Sequence, residues 1–304
     1  MPVKSRTIRV GGYAPQDSVH SRAVDKFAAE VDARTNGEAE VDIMYNVMDT
    51  GKPATALFDM LEAGELTWCY YSSSYLGSRV PELNALEVPF LFDSVGDAHG
   101  SLDGDFGSAL GDAVRSRAGY EVLGFWDNGL RHLTNSARTI RSPEDCKGLR
   151  IRLQPNAIHE ALTASWGMSP VSAELSAGIE MIKRGEVDAQ ENPLANTVAY
   201  GVDHQHITLS AHLYGARGLF ANPDEMSSLG ELGDVVRGAA TAAIAYQREA
   251  AAAYELELRQ RLEAEGRSII DLTTAERKAF ADAAHEVIDN ARSSIEPELA
   301  TLLP

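Results

Sequence analysis

The chain has 304 residues, of which 44% are hydrophobic and 24% are charged. This composition is typical of a folded globular protein and excludes an intrinsically disordered one. The 45 Asp and Glu residues outnumber the 27 Lys and Arg residues, and the net charge of −18 argues against non-specific binding to nucleic acid or anionic membranes, which uses basic surface. The length corresponds to about two domains, with enough buried surface to need neither disulfides nor a structural metal.

The sequence contains no membrane-spanning or redox signal. No apolar run approaches the roughly 20 residues that a transmembrane helix requires. No secretory leader precedes the first strand-like segment, although a secreted protein whose leader has been removed would look the same. Cys69 and Cys146 are far apart and lack CxxC spacing, so we expect free thiols and no metal or redox function.

Strand-like and helix-like segments alternate through the first part of the chain. The predicted strands, with alternating or continuous apolar residues, are Ile8–Gly11, Ala39–Tyr45, Leu66–Tyr71 and Tyr120–Phe125. The predicted helices, with apolar residues at helical spacing, are Ser18–Thr35, Ala54–Ala63 and Ala98–Arg117, the last in one or two pieces. This alternation predicts a mostly parallel sheet with helices on its faces.

The same alternation resumes in the second part of the chain. The segments that continue it are strand Leu149–Leu153, helix Asn156–Ser165, strand Met168–Val171, helix Ala173–Arg184 and strand Val187–Glu191. Residues 206–220 are strand-like and predict a return to the first part of the chain. No flexible linker separates the two parts, which favours a hinged pair of α/β units. In such sheets ligands bind outside the carboxyl ends of the strands.

The C-terminal part has a different pattern. Leu229–Gly266 is rich in Ala, Glu, Arg and Leu without Pro, and predicts one long helix. A short strand, Ser268–Leu272, follows it. Thr273 and Glu276 have the spacing of a capping box, which predicts a final helix over Glu276–Ile295.

The common catalytic signatures are absent from the sequence. There is no P-loop, GxGxxG turn, GxSxG elbow, HExxH pair or EF-hand loop. His204 and His206 would share one face of a strand, and we interpret the pair as surface or structural histidines rather than metal ligands. Nothing in the sequence therefore favours an enzyme over a binding protein.

Residues 131–152 form a basic segment within this acidic chain. Six basic side chains oppose two acidic ones there, which is a local charge of +4. Arg150 and Arg152 alternate with apolar residues, so on a strand the arginines share the face opposite the core. Arg152 lies near the carboxyl end of that strand, where an arginine can form a bidentate pair with a carboxylate ligand. The alternative is that these arginines are ordinary solvated surface charges.

Three ordered motifs resemble one protein family. They are GFWDNGLRHLTN at 124–135, SPEDCKGLRIR at 142–152 and GEVDAQENP at 185–193. Together with the opening segment 9–18, the segments 80–83 and 88–92, and the long helix, they resemble the substrate-binding proteins of tripartite ATP-independent periplasmic (TRAP) transporters, the dicarboxylate-binding protein family. The resemblance covers nearly the whole chain.

The resemblance implies a two-lobed periplasmic-binding-protein (Venus flytrap) fold with hinge strands and a long helix spanning both lobes. The expected N-terminal lobe is 1–127 plus about 213–250, and the second lobe is 128–212 plus about 251–304. It further implies a monomeric periplasmic receptor, without cofactor, metal or catalysis. Such a receptor closes on a small organic acid and delivers it to TRAP membrane subunits.

The resemblance also implies ligand-binding residues. The family's signature arginine falls on Arg152, its motif asparagine on Asn192, and a second ligand arginine on Arg131. Further contacts are expected from the loop 14–20, and from the end of the third strand. The remaining candidate contacts are Asp17, Tyr71, Ser73, Ser74, Trp166 and His212. Trp166 also fits a role in helix packing.

The sequence departs from the family pattern in two places, and it leaves two alternative functions open. Ala189 replaces the usual glycine of the third motif, and residues 48–51 differ from the motif that customarily follows the second strand. A sensor or scavenging receptor of the same fold without a permease fits the sequence as well. An α/β enzyme acting on an organic acid is the third possibility. An arginine indicates a carboxylate but does not identify the acid.

Overall fold

The computed structural model describes residues 6–304, and the first five residues, which precede the predicted first strand, lie outside it. The strands are β1 Arg6–Gly11, β2 Ala39–Met44, β3 Trp68–Ser72, β4 Glu121–Asn135, β5 Arg150–Leu153, β6 Ser169–Ser172, β7 Ala189–Asn192, β8 His206–Ala221 and β9 Ser268–Asp271. Within that range no helix combines the length and the apolar character that crossing a membrane requires.

Helices connect most of these strands. The α-helices are α1 Val19–Thr35, α2 Ala56–Glu62, α3 Val95–Leu102, α4 Asp105–Ala118, α5 Pro143–Cys146, α6 Ala157–Ser165, α7 Leu175–Lys183, α8 Leu194–Ala199, α9 Pro223–Ser228, α10 Leu232–Ala264, α11 Thr274–Ala283, α12 His285–Ser293 and α13 Pro297–Ala300. Short 3₁₀ helices occupy Val47–Thr50, Ser73–Leu76 and Pro81–Glu87. The predicted α/β architecture is confirmed.

The chain divides into two compact units. Unit 1 consists of the residues up to Val80, Leu102–Asp127 and Ala216–Ala252. Unit 2 consists of Pro81–Ser101, Asn128–Gly215 and Ala253–Pro304. Strands β4 and β8 and the 33-residue helix α10 each continue from one unit into the other. The division differs from the sequence-based proposal chiefly because Pro81–Ser101 belongs to unit 2.

Unit 1 is built around a short sheet. Strand β1 pairs in parallel with β2 on one side and with β3 on the other, and β3 pairs antiparallel with β8. Ser18 caps α1 by accepting a hydrogen bond from the Ser21 amide. The apolar face of α1, including Phe27 and Val31, packs into the core of this unit with Trp68.

Unit 2 is built around β5, which pairs in parallel with β6 and β7. Strand β7 pairs antiparallel with β4, and β9 pairs in parallel with β8. The core of this unit contains Ile151 and Leu153 from β5 together with Trp166 and Phe280. The apolar residues of β5 thus face inward, as the alternation in its sequence predicts.

Three local features differ from the sequence-based expectations. Strand β4 continues for 15 residues, past the predicted end at Phe125. Gly124 and Gly129, with φ of 138° and 100°, interrupt the apolar pattern that would have revealed the longer strand. The predicted final helix is two helices, α11 and α12, which meet at the buried Ala284. Cys146 ends a short capped helix instead of lying in a loop.

Both cysteines are buried and free. Burial raises the pKa of the Cys69 thiol far above its ordinary value. Burial, reinforced by Asp145, raises the pKa of Cys146 to about 12. The thiols are therefore protonated at neutral pH.

The capping box of α11 predicts a measurable stability loss. The Thr273 hydroxyl accepts a hydrogen bond from the Glu276 amide at 3.2 Å, and Glu276 Oε2 accepts one from the Thr273 amide at 2.8 Å. We expect Thr273→Ala to lower the free energy of unfolding by about 1 kcal/mol, measured by urea denaturation. Thr274→Ala, inside the helix beyond the cap, is the matched control and should cost less. An equal loss in both variants would contradict the assignment.

Candidate functional site

The structure distributes the predicted site residues between the two units. Arg131, Arg152, Trp166, Asn192 and His212 lie in unit 2, whereas Asp17, Tyr71, Ser73 and Ser74 lie in unit 1. The binding role of these residues stays a prediction at this point.

Arg152 is a buried cation at the third position of β5. Only 3% of its surface is exposed, and its Nη2 donates a hydrogen bond to the Ala173 carbonyl at 2.7 Å. Gly178 of α7 lies directly against the guanidinium. A Cβ atom there would come within 2.9 Å of both Cδ and Cζ of Arg152. The missing side chain at Gly178 therefore makes room for the arginine.

The register of β7 brings two amides to the same face as Arg152. Arg152 pairs with Gln190 in the parallel ladder, so both side chains project from one face of the sheet. Asn192, two residues further on, projects from that face as well. Asn192 Nδ2 donates to Gln190 Oε1 at 3.1 Å, and Gln190 Nε2 donates to Thr197 Oγ1 at 3.1 Å. A guanidinium and two positioned amides thus share one face of unit 2.

Arg131 forms a buried bidentate ion pair with Glu191. Its Nε donates to Glu191 Oε2, and its Nη2 donates to Glu191 Oε1 at 2.7 Å. The same Nη2 lies 3.3 Å from Asn192 Oδ1 and donates to it. The exposed fractions are 3% for Arg131 and 1% for Glu191. Arg131 therefore holds both the carboxylate of Glu191 and the amide of Asn192.

Two histidines flank Glu191, and one of them also pairs with a second carboxylate, Glu87. His159 Nδ1 lies 3.4 Å from Glu191 Oε1, and His212 Nε2 lies 3.5 Å from Glu191 Oε2. On its other side His159 Nε2 hydrogen-bonds with Glu87 Oε2 at 2.7 Å. His212 Nδ1 pairs with the Ser210 hydroxyl at 2.7 Å. Among residues 6–304 no group of three or more His, Cys, Asp or Glu side chains is arranged to hold a metal ion.

The surroundings fix the charge of each of these groups. Burial alone would raise the pKa of Glu191, but Arg131 and the two histidines lower it well below its usual range. Burial opposes protonation of His159, but Glu191 and Glu87 raise its pKa to about 9. Burial lowers the pKa of His212 to about 4 despite the nearby Glu191. At neutral pH, Glu191 is thus ionised, His159 is an imidazolium and His212 is neutral.

Sequence reasoning missed Glu87, His159 and Glu191 as functional candidates. Glu191 carried one signal, because this charged residue stood at the end of the predicted strand Val187–Glu191. His159 had none, since it occupied an unremarkable position in a predicted helix. Its partners are 72 residues away at Glu87 and 32 residues away at Glu191, by residue number.

Trp166 is part of the unit 2 core. It is 1% exposed, and its indole Nε1 donates to the Phe280 carbonyl at 3.0 Å. Its ring packs edge-on against Phe280 and His212, with centroids 5.1 and 5.5 Å apart. This placement supports the interpretation of Trp166 as a packing residue.

In unit 1 an aromatic cluster lies beside the end of β3. Tyr71 stacks on Tyr13 with ring centroids 4.6 Å apart. The guanidinium carbon of Arg217 lies 4.7 Å from the centre of the Tyr13 ring and 5.8 Å from that of Tyr70. This distance is favourable for a cation over an aromatic face. Arg217 is a charged residue of this cluster that sequence reasoning did not single out.

The serines that follow β3 are held by neighbouring groups, while Asp17 is exposed. Ser73 is buried, and its hydroxyl donates to the Ala216 carbonyl at 3.1 Å. Ser74 Oγ pairs with Ser72 Oγ at 2.9 Å. Asp17 lies in the turn before α1 with its side chain in solvent. The third-strand candidates are thus clustered within unit 1.

Residues 10–294 match the family DctP, bacterial extracellular solute-binding protein, family 7. The chain belongs to this family. The resemblance to TRAP substrate-binding proteins on which the sequence interpretation relied is thereby confirmed.

Named relatives of the family 7 chain include solute-binding proteins. It is 34% identical over 210 residues to a "Solute-binding protein" of Verminephrobacter eiseniae, which covers 68% of this chain and 62% of that protein. It is 29% identical to the "2,3-diketo-L-gulonate-binding periplasmic protein YiaO" of Escherichia coli, over 92% of this chain and 84% of that protein. The chain spans about half to two thirds of the length of the first curated relatives it matches.

A solved structure shares the fold over almost the whole chain. The sugar acid binding protein DctPAm from Advenella mimigardefordensis, in complex with galactonate, superposes with a TM-score of 0.89 at 26% identity. The match covers 99% of this chain and 97% of that one. The family 7 chain therefore has the periplasmic-binding-protein fold that the sequence predicted.

His204 of unit 2 gives a prediction on the acid side of the pH range. It is 6% exposed, and its Nδ1 pairs with the Thr134 hydroxyl at 2.9 Å. Burial lowers the pKa of His204 to about 4. The unfolded chain therefore binds a proton more readily, and this group's contribution to stability is lost as the pH falls from about 6.5 towards about 4.

We expect His204→Gln to reduce that loss. In the wild-type protein, His204 makes the free energy of unfolding change by up to about 1.4 kcal/mol per pH unit within that window. Glutamine does not titrate, so this dependence is absent from the variant. Urea unfolding at a series of pH values measures the slopes of both proteins. If the free energy of unfolding depends on pH in the same way in both proteins between about pH 6 and 4.5, His204 is not a neutral buried group.

Proposed function

We propose that the protein is a periplasmic receptor that binds a small organic acid through its carboxylate and delivers it to the membrane subunits of a TRAP transporter. Membership of the extracellular solute-binding family 7 supports this role. The sugar-acid and diketo-acid ligands in the names of similar proteins support the carboxylate. The receptor works as a monomer and without catalysis.

The observation that carries the proposal is the buried guanidinium of Arg152. Its Nε side lies against Gly178, and the Ala173 carbonyl fixes one end of the fork. An arginine held in this way is oriented before the ligand arrives, so less conformational freedom is lost on binding. The planar fork matches a carboxylate with two parallel hydrogen bonds. Burial strengthens that pair because water is excluded.

Asn192 supplies a neutral donor and acceptor beside this cation. Arg131 and Gln190 hold opposite ends of its amide. An amide fixed at both ends presents one orientation to a ligand, which favours acids carrying an oxygen at the matching distance. Arg131 and His212 then act in unit 2 mainly through Glu191. Asp17, Tyr71, Ser73 and Ser74 are proposed as the contributions of unit 1.

The class of acid is proposed from the similar proteins. Galactonate and diketogulonate, the ligands in their names, carry several oxygen atoms besides the carboxylate. Hydroxylated and keto acids therefore come first in a thermal-shift screen. A ligand present at 100 times its dissociation constant should stabilise the protein by about 2.7 kcal/mol. Stabilisation by no carboxylate in the library would contradict the receptor function.

Removal of the Arg152 fork should abolish binding of the acid found in that screen. We expect Arg152→Ala to weaken binding by at least about 100-fold, because one bidentate charged pair is lost. Arg152→Lys keeps the charge but loses the fork, and should weaken binding by about tenfold or more. Isothermal titration calorimetry measures both affinities.

The matched control is Arg150→Ala on the same strand. Arg150 is exposed and pairs with Asp188, so its removal should leave the affinity within about twofold of the wild-type value. Unchanged affinity in Arg152→Ala, or equal losses in both variants, would contradict the role assigned to Arg152.

A methyl group at position 178 tests the space that holds the arginine. The added Cβ of Gly178→Ala would overlap the guanidinium, so Arg152 must shift and the acid should bind about tenfold more weakly. Gly111→Ala is the matched control, since its Cβ would meet only Val122 Cβ at 3.7 Å. That variant should bind normally and gain up to about 1 kcal/mol of stability from helix propensity. Calorimetry and urea denaturation together distinguish the two outcomes.

A further inference from the structure

Unit 2 contains a buried row of alternating charges that leads to Asn192. The row runs from Glu87 through His159 and Glu191 to Arg131. His159 is fully buried, and the exposed fractions of the other three residues are 4% or less. Arg131 is in contact with Asn192 at 3.3 Å. The 3₁₀ helix Pro81–Glu87 is thus connected through α6 and β7 to the amide proposed to meet the ligand.

The charges in this row balance at neutral pH. Glu87 and Glu191 are the two carboxylates, and Arg131 and the imidazolium of His159 are the two cations. A buried charge is costly unless it is paired. Loss of the proton from His159 would leave two carboxylates with one cation. The arrangement therefore depends on His159 remaining charged.

We propose that His159 is a positioning residue for ligand binding: it fixes Glu191, Glu191 fixes Arg131, and Arg131 fixes the amide of Asn192. This inference rests on the proposed receptor function, and it assigns to His159 and Glu87 an influence on affinity without contact with the ligand. A buried ionic row is a poor source of stability compared with apolar packing of the same volume. Its use here is to set the position of a side chain.

The groups that face His159 decide how it responds to pH. They are Glu87 from the 3₁₀ helix and Glu191 from β7, with Arg131 and His212 on the far side of Glu191. The two carboxylates raise the pKa of His159 to about 9. The wild-type affinity for the acid should therefore fall as the pH rises through about 9. The stability that the charged His159 contributes is lost as the pH rises from about 6.5, the pKa of an unfolded-state histidine, to about 9.

Three variants test the proposal by calorimetry. His159→Gln leaves the carboxylates with one cation, and should weaken binding about tenfold and abolish the fall in affinity near pH 9. Glu87→Gln removes one carboxylate. The double variant Glu87→Gln/His159→Gln restores the balance, and should bind within about threefold of the wild-type protein. His204→Gln, another buried histidine of unit 2, is the control and should keep the wild-type affinity and alkaline profile.

A second measurement does not require a ligand. Nitrogen-15 NMR of the histidine rings should show His159 protonated at pH 7.5, and the Arg131 Nε–H resonance should move in His159→Gln but not in His204→Gln. If the wild-type protein binds none of the acids, the receptor function fails, and the Arg131 resonance still decides whether His159 positions this arginine. A neutral His159, an unmoved Arg131 resonance, or wild-type affinity in folded His159→Gln would overturn the proposal.

The proposal would also be overturned if the fold-loss of affinity in the double variant equals the product of the fold-losses in the two single variants. That result would show that Glu87 and His159 act independently. Urea denaturation of every variant confirms that the compared proteins are folded. A general packing defect cannot produce two results together: recovery of affinity in the double variant, and loss of the fall in affinity near pH 9.

Discussion

The ion pair between Arg131 and Glu191 is the buried interaction on which the polar arrangement of unit 2 depends. Each partner is almost completely buried, and removing either would leave an uncompensated charge, at a typical cost of about 3–5 kcal/mol. The pair joins β4 to β7, since Arg131 bonds both the carboxylate and the backbone carbonyl of Glu191. The ladder between β7 and β5 then places Gln190 opposite Arg152.

The α/β class of the fold and the position of Arg152 on β5 could be predicted from local patterns, whereas the two-lobed fold and the ligand role of Arg152 came from the family resemblance. Apolar alternation identified β5, and the position of Arg152 on that strand followed from a two-residue period. The extent of β4 was hidden by Gly124 and Gly129, whose positive φ angles interrupt the strand pattern. Asn192 was predicted as a ligand contact from the family motif alone. His159 and Glu191 contact each other but come from distant segments of the chain, so no local pattern indicated this contact.

The acidic composition and the cationic site act over different distances. A net charge of −18 repels an anion weakly beyond about 8 Å at physiological ionic strength. In the proposed site, single buried guanidinium groups with controlled neighbours would offset this repulsion locally. Gly178 shows how specific this control is, because one absent methyl group decides whether Arg152 fits. The net charge of the whole chain therefore does not indicate the sign of the charge on the ligand.

The burial of the two cysteines affects how the folded protein responds to an oxidising compartment. Thiol–disulfide exchange requires an accessible thiolate, and each cysteine is enclosed and held in its protonated form. Burial and protonation therefore disfavour the reaction of either thiol with oxidants in the folded protein. Exposure to disulfide formation is confined to states of the chain in which Cys69 and Cys146 are not yet enclosed.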